Sequence, residues 1–388
     1  MAQHTTECYH LWSTFGEPLS PGSGWDQMCV HLLNSKNKTI YMLAAEEWDL
    51  ADFHNPKLKA DLSELNRYIR SVERHCEINN VNLHIISGRY SNYRNKHTDD
   101  GITENTDSPW ESFNTHFWST YWLYHGILRY RHPQNNDLTG NYVNKPVPTR
   151  PNFVCYINRP HPYRCYLVDQ FARLGLLENN LVSFLMSTAE HGVQYQFEHW
   201  QESQLVIPGE QSIADNYQNI SHHQYRSCTP EYHNTICDVV PESGVGSLFL
   251  TEKTVLPILR AKPFVVVGAP GFHSMLQELG FQLYTPLFDY GFDSVSDARQ
   301  RIQMITQQLH RMQDWSTQQV ADVYAECRPI CEHNLRTLFS LVATGAGIPD
   351  IITQQEQLFR AQTRVGAEYY DLIDFVQQLA QFHLNNLK

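Results

Sequence analysis

Apolar positions along the chain fall into short β-branched runs that alternate with stretches at three- and four-residue spacing, the pattern of strands and helices in an α/β protein. Thr-Ile-Tyr-Met-Leu-Ala-Ala at 39–45 predicts a buried strand running into the acids Glu46 and Glu47. Beyond Pro56, the residues Leu58, Leu62, Leu65, Tyr68, Ile69 and Val72 trace one helical face, and Asn79 and Asn80 close it. Residues 81–87 then predict a second strand, stopped by Gly88. Strand, helix and strand make a parallel crossover. A polar, turn-rich loop covers 89–110, and the aromatic segment 113–130 predicts one helix packing Phe117, Trp118, Tyr121, Trp122, Tyr124 and Ile127. Pro146, Pro148 and Pro151, set among Asn and Gly, break regular structure over 131–151 and mark a linker.

The alternation then restarts. Strands are predicted at 153–157, 181–185, 236–240 and 264–267, and helices at 163–174, 251–261 and 272–279, with Gly175 and Gly280 ending two of the helices. Two amphipathic helices at 294–313 and 316–343 precede a Gln-rich helix near 350–386. The expected architecture is α/β: an amino-terminal domain over 1–148, a second over 149–345 and a helical extension over 346–388. Both domains read as Rossmann-like and doubly wound, so a ligand belongs in the cleft outside the carboxyl ends of the strands.

Composition narrows the function. In 388 residues, 29 basic and 41 acidic side chains leave a net charge of −12, yet only 18% of residues are charged. An acidic chain lacks the broad basic face on which general nucleic-acid binding rests, though one local basic pocket remains compatible with it. Aromatics at 12%, with 20 His and many Asn and Gln, supply groups that line a cleft for an uncharged, hydroxyl-rich ligand. No apolar run reaches the roughly 18–20 residues that span a bilayer, and the amino terminus lacks the basic-then-apolar order of a signal peptide, so a cytoplasmic location is expected. Nine scattered cysteines make reduced thiols, not a disulfide framework, the expectation. Cys327, Cys331 and His333 lack the Cys-x2-Cys spacing of a structural zinc site and read as core, and no metal site is expected.

The most informative stretch begins with Glu242-Ser243 at the end of a predicted strand, crosses a small-residue loop and enters a helix at Thr251-Glu252-Lys253. A helix amino terminus offers unpaired N–H groups and a positive dipole end, and Lys253 adds a full charge, a combination suited to a diphosphate; Glu252 suits ribose hydroxyls. Ordinary capping by Thr251 with a solvated Lys253 accounts for the same residues.

That order, followed by Lys-Pro-Phe-Val-Val-Val-Gly at 262–268, resembles the donor-binding motif of the α1,3-fucosyltransferases and of related glycosyltransferase-like proteins, many of them viral or bacterial. The strand–turn–helix Phe-Val-Cys-Tyr-Ile-Asn-Arg-Pro-His-Pro-Tyr-Arg at 153–164 and the later Ala-Pro-Gly-Phe at 269–272 fit the same pattern, which covers about 150–343. The resemblance implies a B-type glycosyltransferase whose second domain holds a nucleotide sugar as co-substrate. Arg164 and Lys253 would then neutralise the diphosphate, Glu252 would hold the ribose, Glu242 and Ser243 would border the nucleotide or sugar, and Arg159 and Thr251 would also belong to the donor-binding set. It implies no obligatory metal or other cofactor, and no Asp-x-Asp pair occurs in the chain. The acceptor would be a hydroxyl on a glycan, a small molecule or, in a viral setting, a hydroxymethylated DNA base. Deprotonating it calls for a base from the first domain, for which Glu46, Glu47 and Glu111 are the candidates. A non-catalytic glycosyltransferase-like protein that binds a glycan or a partner is the alternative, and the oligomeric state stays open.

Overall fold

Among the described residues of the computed structural model, eight strands form two four-stranded sheets, each wholly parallel. The structure describes residues 6–10, 39–44, 74, 76–87, 114–130, 147–157, 160–184, 195–200, 232, 234–242, 248–354, 356 and 364–387. The first sheet runs in chain order, β1 (Thr6–His10), β2 (Thr39–Ala44), β3 (Asn82–Ser87) and β4 (Asn114–Phe117). The second contains β5 (Phe153–Ile157), β6 (Leu181–Phe184), β7 (Cys237–Pro241) and β8 (Phe264–Val267) in the order β6-β5-β7-β8. Strand order therefore reverses between β5 and β7, the place where a crevice opens outside the carboxyl ends of a parallel sheet.

Helices connect and cover these strands. They are α1 (Tyr121–Tyr130), α2 (Pro162–Arg173), α3 (Glu252–Leu259), α4 (Phe272–Glu278), α5 (Ala298–Met312), α6 (Thr317–Ala343), α7 (Asp350–Gln354) and α8 (Arg364–Asn386). In the second sheet β5 and β8 are almost continuously apolar and buried, as strands covered on both faces must be. Helix α2 opens with Pro162, whose missing N–H costs nothing in a first turn, and the chain leaves it through Gly175 at φ +67. Gly271, at φ +76, makes the tight entry into α4.

The chain departs from the sequence pattern at two places. Segment 113–130 is not one helix. Asn114–Phe117, three polar residues followed by Phe117, pairs in parallel with β3, opposing Ile86 to His116, so the sheet ladder takes these residues and α1 starts only at Tyr121. Strand β1 is short and polar and carries no apolar run that would announce it. Of the expected helix over 350–386, α7 and α8 are helical, and residues 355 and 357–363 lie outside the described residues. The helix predicted beyond Pro56 lies outside the described residues up to its last turn, where Asn80 at φ +52 leads into β3.

The linker over 131–151 separates the two sheets along the chain, but α1 packs on helices beyond it. Thr120 donates to the Ala346 carbonyl at 2.6 Å, Tyr124 donates to that of Val342 at 3.1 Å, and Gly126 sits against Val255 of α3. Trp118, Tyr121, Tyr124 and Ile127 thereby join one buried cluster with α3, α6 and the second sheet. Cys76, Cys155, Cys165, Cys237, Cys327 and Cys331 are buried, which puts Cys327 and Cys331 in the core as their spacing predicted. Among the described residues no helix is long and apolar enough to cross a membrane.

Candidate functional site

Strand β7 delivers Glu242 to the carboxyl edge of the second sheet, beside the reversal of strand order. Its N–H donates to the Val267 carbonyl at 3.1 Å, so the backbone still follows β8. The side chain is fully buried and turns toward the start of α3. It accepts the Thr251 N–H at 3.1 Å and the hydroxyls of Thr251 and Thr254, each at 2.5 Å. Thr251 is in turn the amino-terminal cap of α3, with extended backbone, and its Oγ1 accepts the Lys253 N–H at 3.2 Å. A carboxylate and a threonine thus satisfy the donors that a helix start leaves open. The capping expected of Thr251 is present, and it fixes the turn from which Glu252 and Lys253 project.

Those two side chains stay part-exposed, Lys253 at 32% and Glu252 at 17%, with Lys253 Nζ 3.5 Å from Glu252 Oε1. Across the strand reversal, α2 supplies Tyr163 and Arg164. The Arg164 guanidinium donates to the carbonyls of Glu242 at 2.6 Å and Pro241 at 3.2 Å, and its Nε donates to the Tyr163 hydroxyl at 2.8 Å. Tyr163 itself donates to the Glu242 carbonyl. Arg164 is only 4% exposed, so it ties α2 to the end of β7, and what it contributes directly to this edge is a buried positive charge.

Of the residues singled out in the sequence, Arg164, Glu242, Thr251, Glu252 and Lys253 come together here. Glu242 and Thr251, expected against the donor, are spent on each other inside the protein. Arg159, Ser243, Glu46, Glu47 and Glu111 lie outside the described residues. Tyr163 and Thr254 were not foreseen. A tyrosine before Arg164 and a threonine one turn beyond the cap carry no signal of their own until Glu242 is known to point inward.

A second polar cluster adjoins this edge, behind β8. His273 is buried, its Nε2 accepts the Val266 N–H at 3.1 Å, and its Nδ1 donates to Asp293 at 2.8 Å. Asp293 also accepts the N–H groups of His273 and Ser274, both at 3.0 Å. Burial would raise this carboxyl, but the hydrogen bonds from His273 and Ser274 outweigh it and hold Asp293 below the ordinary range. Arg301 donates to the carbonyls of Val295, Ser296 and Gly268. A small recess of about 10 Å³, room for about one water, is lined by Val267, Gly268, Asp293 and Arg301 among others and lies between β8 and α5. Its polar groups are already paired, so it serves to shape the loop after β8.

The opposite, amino-terminal end of β7 holds a buried ionic group. Tyr232 donates to Asp238 at 3.0 Å, and Lys262 donates to the carbonyls of Tyr232 and Thr235 at 2.5 and 2.7 Å. The Arg260 guanidinium lies 4.4 Å from the Tyr232 ring centre. Burial pushes the Asp238 carboxyl up to about 6, against the opposing pull of Lys262, Tyr232 and Arg260. This cluster locks the base of the strand, at the end of β7 opposite Glu242.

Among the described residues one group has the composition of a metal site, Asp169 with Glu198 and His199. Asp169 is buried and accepts the backbone N–H groups of Glu198, His199 and Trp200 at 2.7–3.3 Å. Its carboxylate is occupied in holding the 198–200 turn against α2. Compared with protein-family models, with curated proteins and with solved structures, the chain matches none.

Proposed function

We propose that the chain is a nucleotide-sugar-dependent glycosyltransferase of the two-domain B type, with the donor held by the second sheet. One observation carries the reading. Glu252 and Lys253 stand side by side and part-exposed at the start of α3, on a turn fixed by buried Glu242, at the edge where strand order reverses. Transfer of a glycosyl group expels a nucleoside diphosphate, so the main electrostatic task is to stabilise the charge that develops on the leaving phosphates. Lys253 supplies a mobile cation, the α3 amino terminus adds its dipole, and buried Arg164 adds a fixed positive charge beneath. Glu252 accepts from ribose hydroxyls. Two wholly parallel sheets in one chain support the two-domain architecture. The acceptor is a hydroxyl presented by the amino-terminal sheet.

The test is a panel of nucleoside diphosphates in thermal denaturation, followed by an assay for nucleoside diphosphate released from sugar nucleotides. A stabilisation by one base, lost in Lys253→Ala, is the expected result; no response to any nucleotide overturns it. A second reading, a non-catalytic glycosyltransferase-like binding protein, is favoured by the commitment of the Arg164 guanidinium to the Pro241 and Glu242 carbonyls. Glycan binding without turnover of any sugar nucleotide would select it.

A further inference from the structure

In the amino-terminal sheet two imidazoles face each other at hydrogen-bonding distance. His84 of β3 and His116 of β4 bring Nδ1 and Nε2 to 2.9 Å, with ring centres 5.2 Å apart and planes inclined by 18°. The centre-to-centre distance is the N···N distance plus one ring radius at each end, so both nitrogens lie on the line joining the centres. The rings therefore meet edge to edge and nearly coplanar, in an in-plane N–H···N bond. Head-on lone pairs are a proton-sharing geometry; chelation of a metal needs them to converge on a third point. The chain of bonds continues, because the Asn82 side-chain amide lies 2.9 Å from His84 Nε2. Turning that amide over reverses the direction of every bond in the series. The free end is His116 Nδ1, which has no hydrogen-bond partner among the described residues, on a part-exposed ring.

We propose that His116, backed by His84 and Asn82, is the base that deprotonates the acceptor hydroxyl, an inference that rests on the glycosyltransferase reading. In the poised state Asn82 Oδ1 accepts from His84 Nε2–H, His84 Nδ1 accepts from His116 Nε2–H, and His116 Nδ1 carries a lone pair. The acceptor O–H proton passes to His116 Nδ1 as the oxygen bonds to the sugar anomeric carbon. The bond from that carbon to phosphate breaks, and its electron pair leaves on the nucleoside diphosphate. The His116 Nε2 proton moves to His84 Nδ1, so the positive charge ends on an imidazolium held by the Asn82 carbonyl.

Three features support the assignment. Burial lowers the affinity of both rings for a resting proton, and each ring's charge would oppose the other's, so the pair stays neutral and receptive near neutral pH. On the adjacent strands the register partners are Tyr41 and Asn114 beside His84 and Ile86 beside His116, none of which carries charge near neutral pH. Strand β4 also leads directly into α1, which packs at Gly126 on Val255, two residues beyond Lys253. His84 is a positioning residue in this scheme, since it acts through His116.

The experiment combines nitrogen NMR of His-labelled full-length protein with kinetics. Long-range proton–nitrogen spectra across pH should show one ring nitrogen of each facing pair protonated and coupled titrations below the ordinary histidine value. His116→Gln should lower transfer by about 10²–10⁴-fold while nucleoside diphosphate binding is retained. His84→Gln should give a smaller loss with a displaced acid limb of the pH–rate profile. Independent titration of the two rings at about 6.5 overturns the relay. Undiminished transfer by His116→Gln overturns the base, and a wild-type protein that binds no nucleoside diphosphate overturns the donor reading and the base with it, while the NMR still reports whether the imidazole pair exists.

Discussion

Glu242 and Thr251, nine positions apart, are joined twice: the carboxylate accepts the Thr251 backbone N–H at 3.1 Å and its hydroxyl at 2.5 Å. The end of a strand is thereby bonded to the start of the next helix through a side chain with no exposed surface. Glu242→Gln keeps the shape but replaces one acceptor oxygen by a donor, which then faces the N–H and O–H donors of Thr251 and Thr254. Leaving buried donors unsatisfied costs about 1–3 kcal/mol, and urea denaturation should show a loss of that order. An unchanged midpoint would mean that the strand end and the helix start are held by something else.

Lys253→Ala should behave in the opposite way. The side chain is part-exposed and its contact with Glu252 is a 3.5 Å surface pair, so stability should move by no more than about 0.5 kcal/mol. Nucleoside diphosphate binding, in contrast, should fall by at least tenfold if Lys253 faces phosphate, roughly the 1.4 kcal/mol of one lost charge-assisted contact. Isothermal titration of both proteins with the same nucleotide separates the two effects. A destabilised variant with intact affinity would make Lys253 a structural residue.

Where the sequence is legible and where it is not follows from what each residue touches. Strand β8 could be read to the residue, because Phe-Val-Val-Val between Pro263 and Gly268 has one conformation that buries it all. Helices α5 and α6 were readable from their apolar stripes, though α5 begins at Ala298, after the Asp297 cap, and not at 294. The split of 113–130 was not, since the choice of strand for Asn114–Phe117 is made by β3, a partner that local spacing does not contain. The residues at the end of β7 and the start of α3 were legible as types, but not the direction in which they point. Glu242 and Arg164 look like ligand contacts until the Thr251 donors and the strand-end carbonyls that claim them are in place. The His84–His116 pair was invisible for a related reason: 32 residues separate its members, and only strand register brings them edge to edge.

Asp238 should give the protein an unusual pH term. Its folded-state carboxyl is raised to about 6 by burial, above the ordinary aspartate value, so the protonated form is favoured by folding. The stabilisation from that preference is fully present below the unfolded-state value and is lost as pH rises through about 6. Asp238→Asn, which mimics the protonated side chain and still accepts from Tyr232, removes the dependence. The stability of wild type relative to Asp238→Asn should therefore decline between about pH 4 and 6 and level off above, as read from denaturant midpoints at each pH. A flat difference would mean that Lys262 and Arg260 compensate the ionised carboxylate in full.

The contact between Gly126 and Val255 decides whether α1 belongs with the second sheet. A Cβ placed on Gly126 would lie 2.4 Å from Val255 Cγ1, far inside contact distance, and Val255 is fully buried. An alanine in the middle of an isolated helix is favourable by about 0.5–1 kcal/mol over glycine, so propensity alone predicts that Gly126→Ala stabilises. Overpacking at a well-filled interface costs about 1–3 kcal/mol and should win, giving net destabilisation. Val255→Ala opens a cavity and is itself destabilising, but it removes the atom that the new methyl meets. The double variant should consequently be more stable than the sum of the two single changes predicts, with a coupling of about 1–3 kcal/mol in a double-mutant cycle. Additive effects would place α1 away from α3, and they would also detach the His116 strand from the helix that carries Lys253.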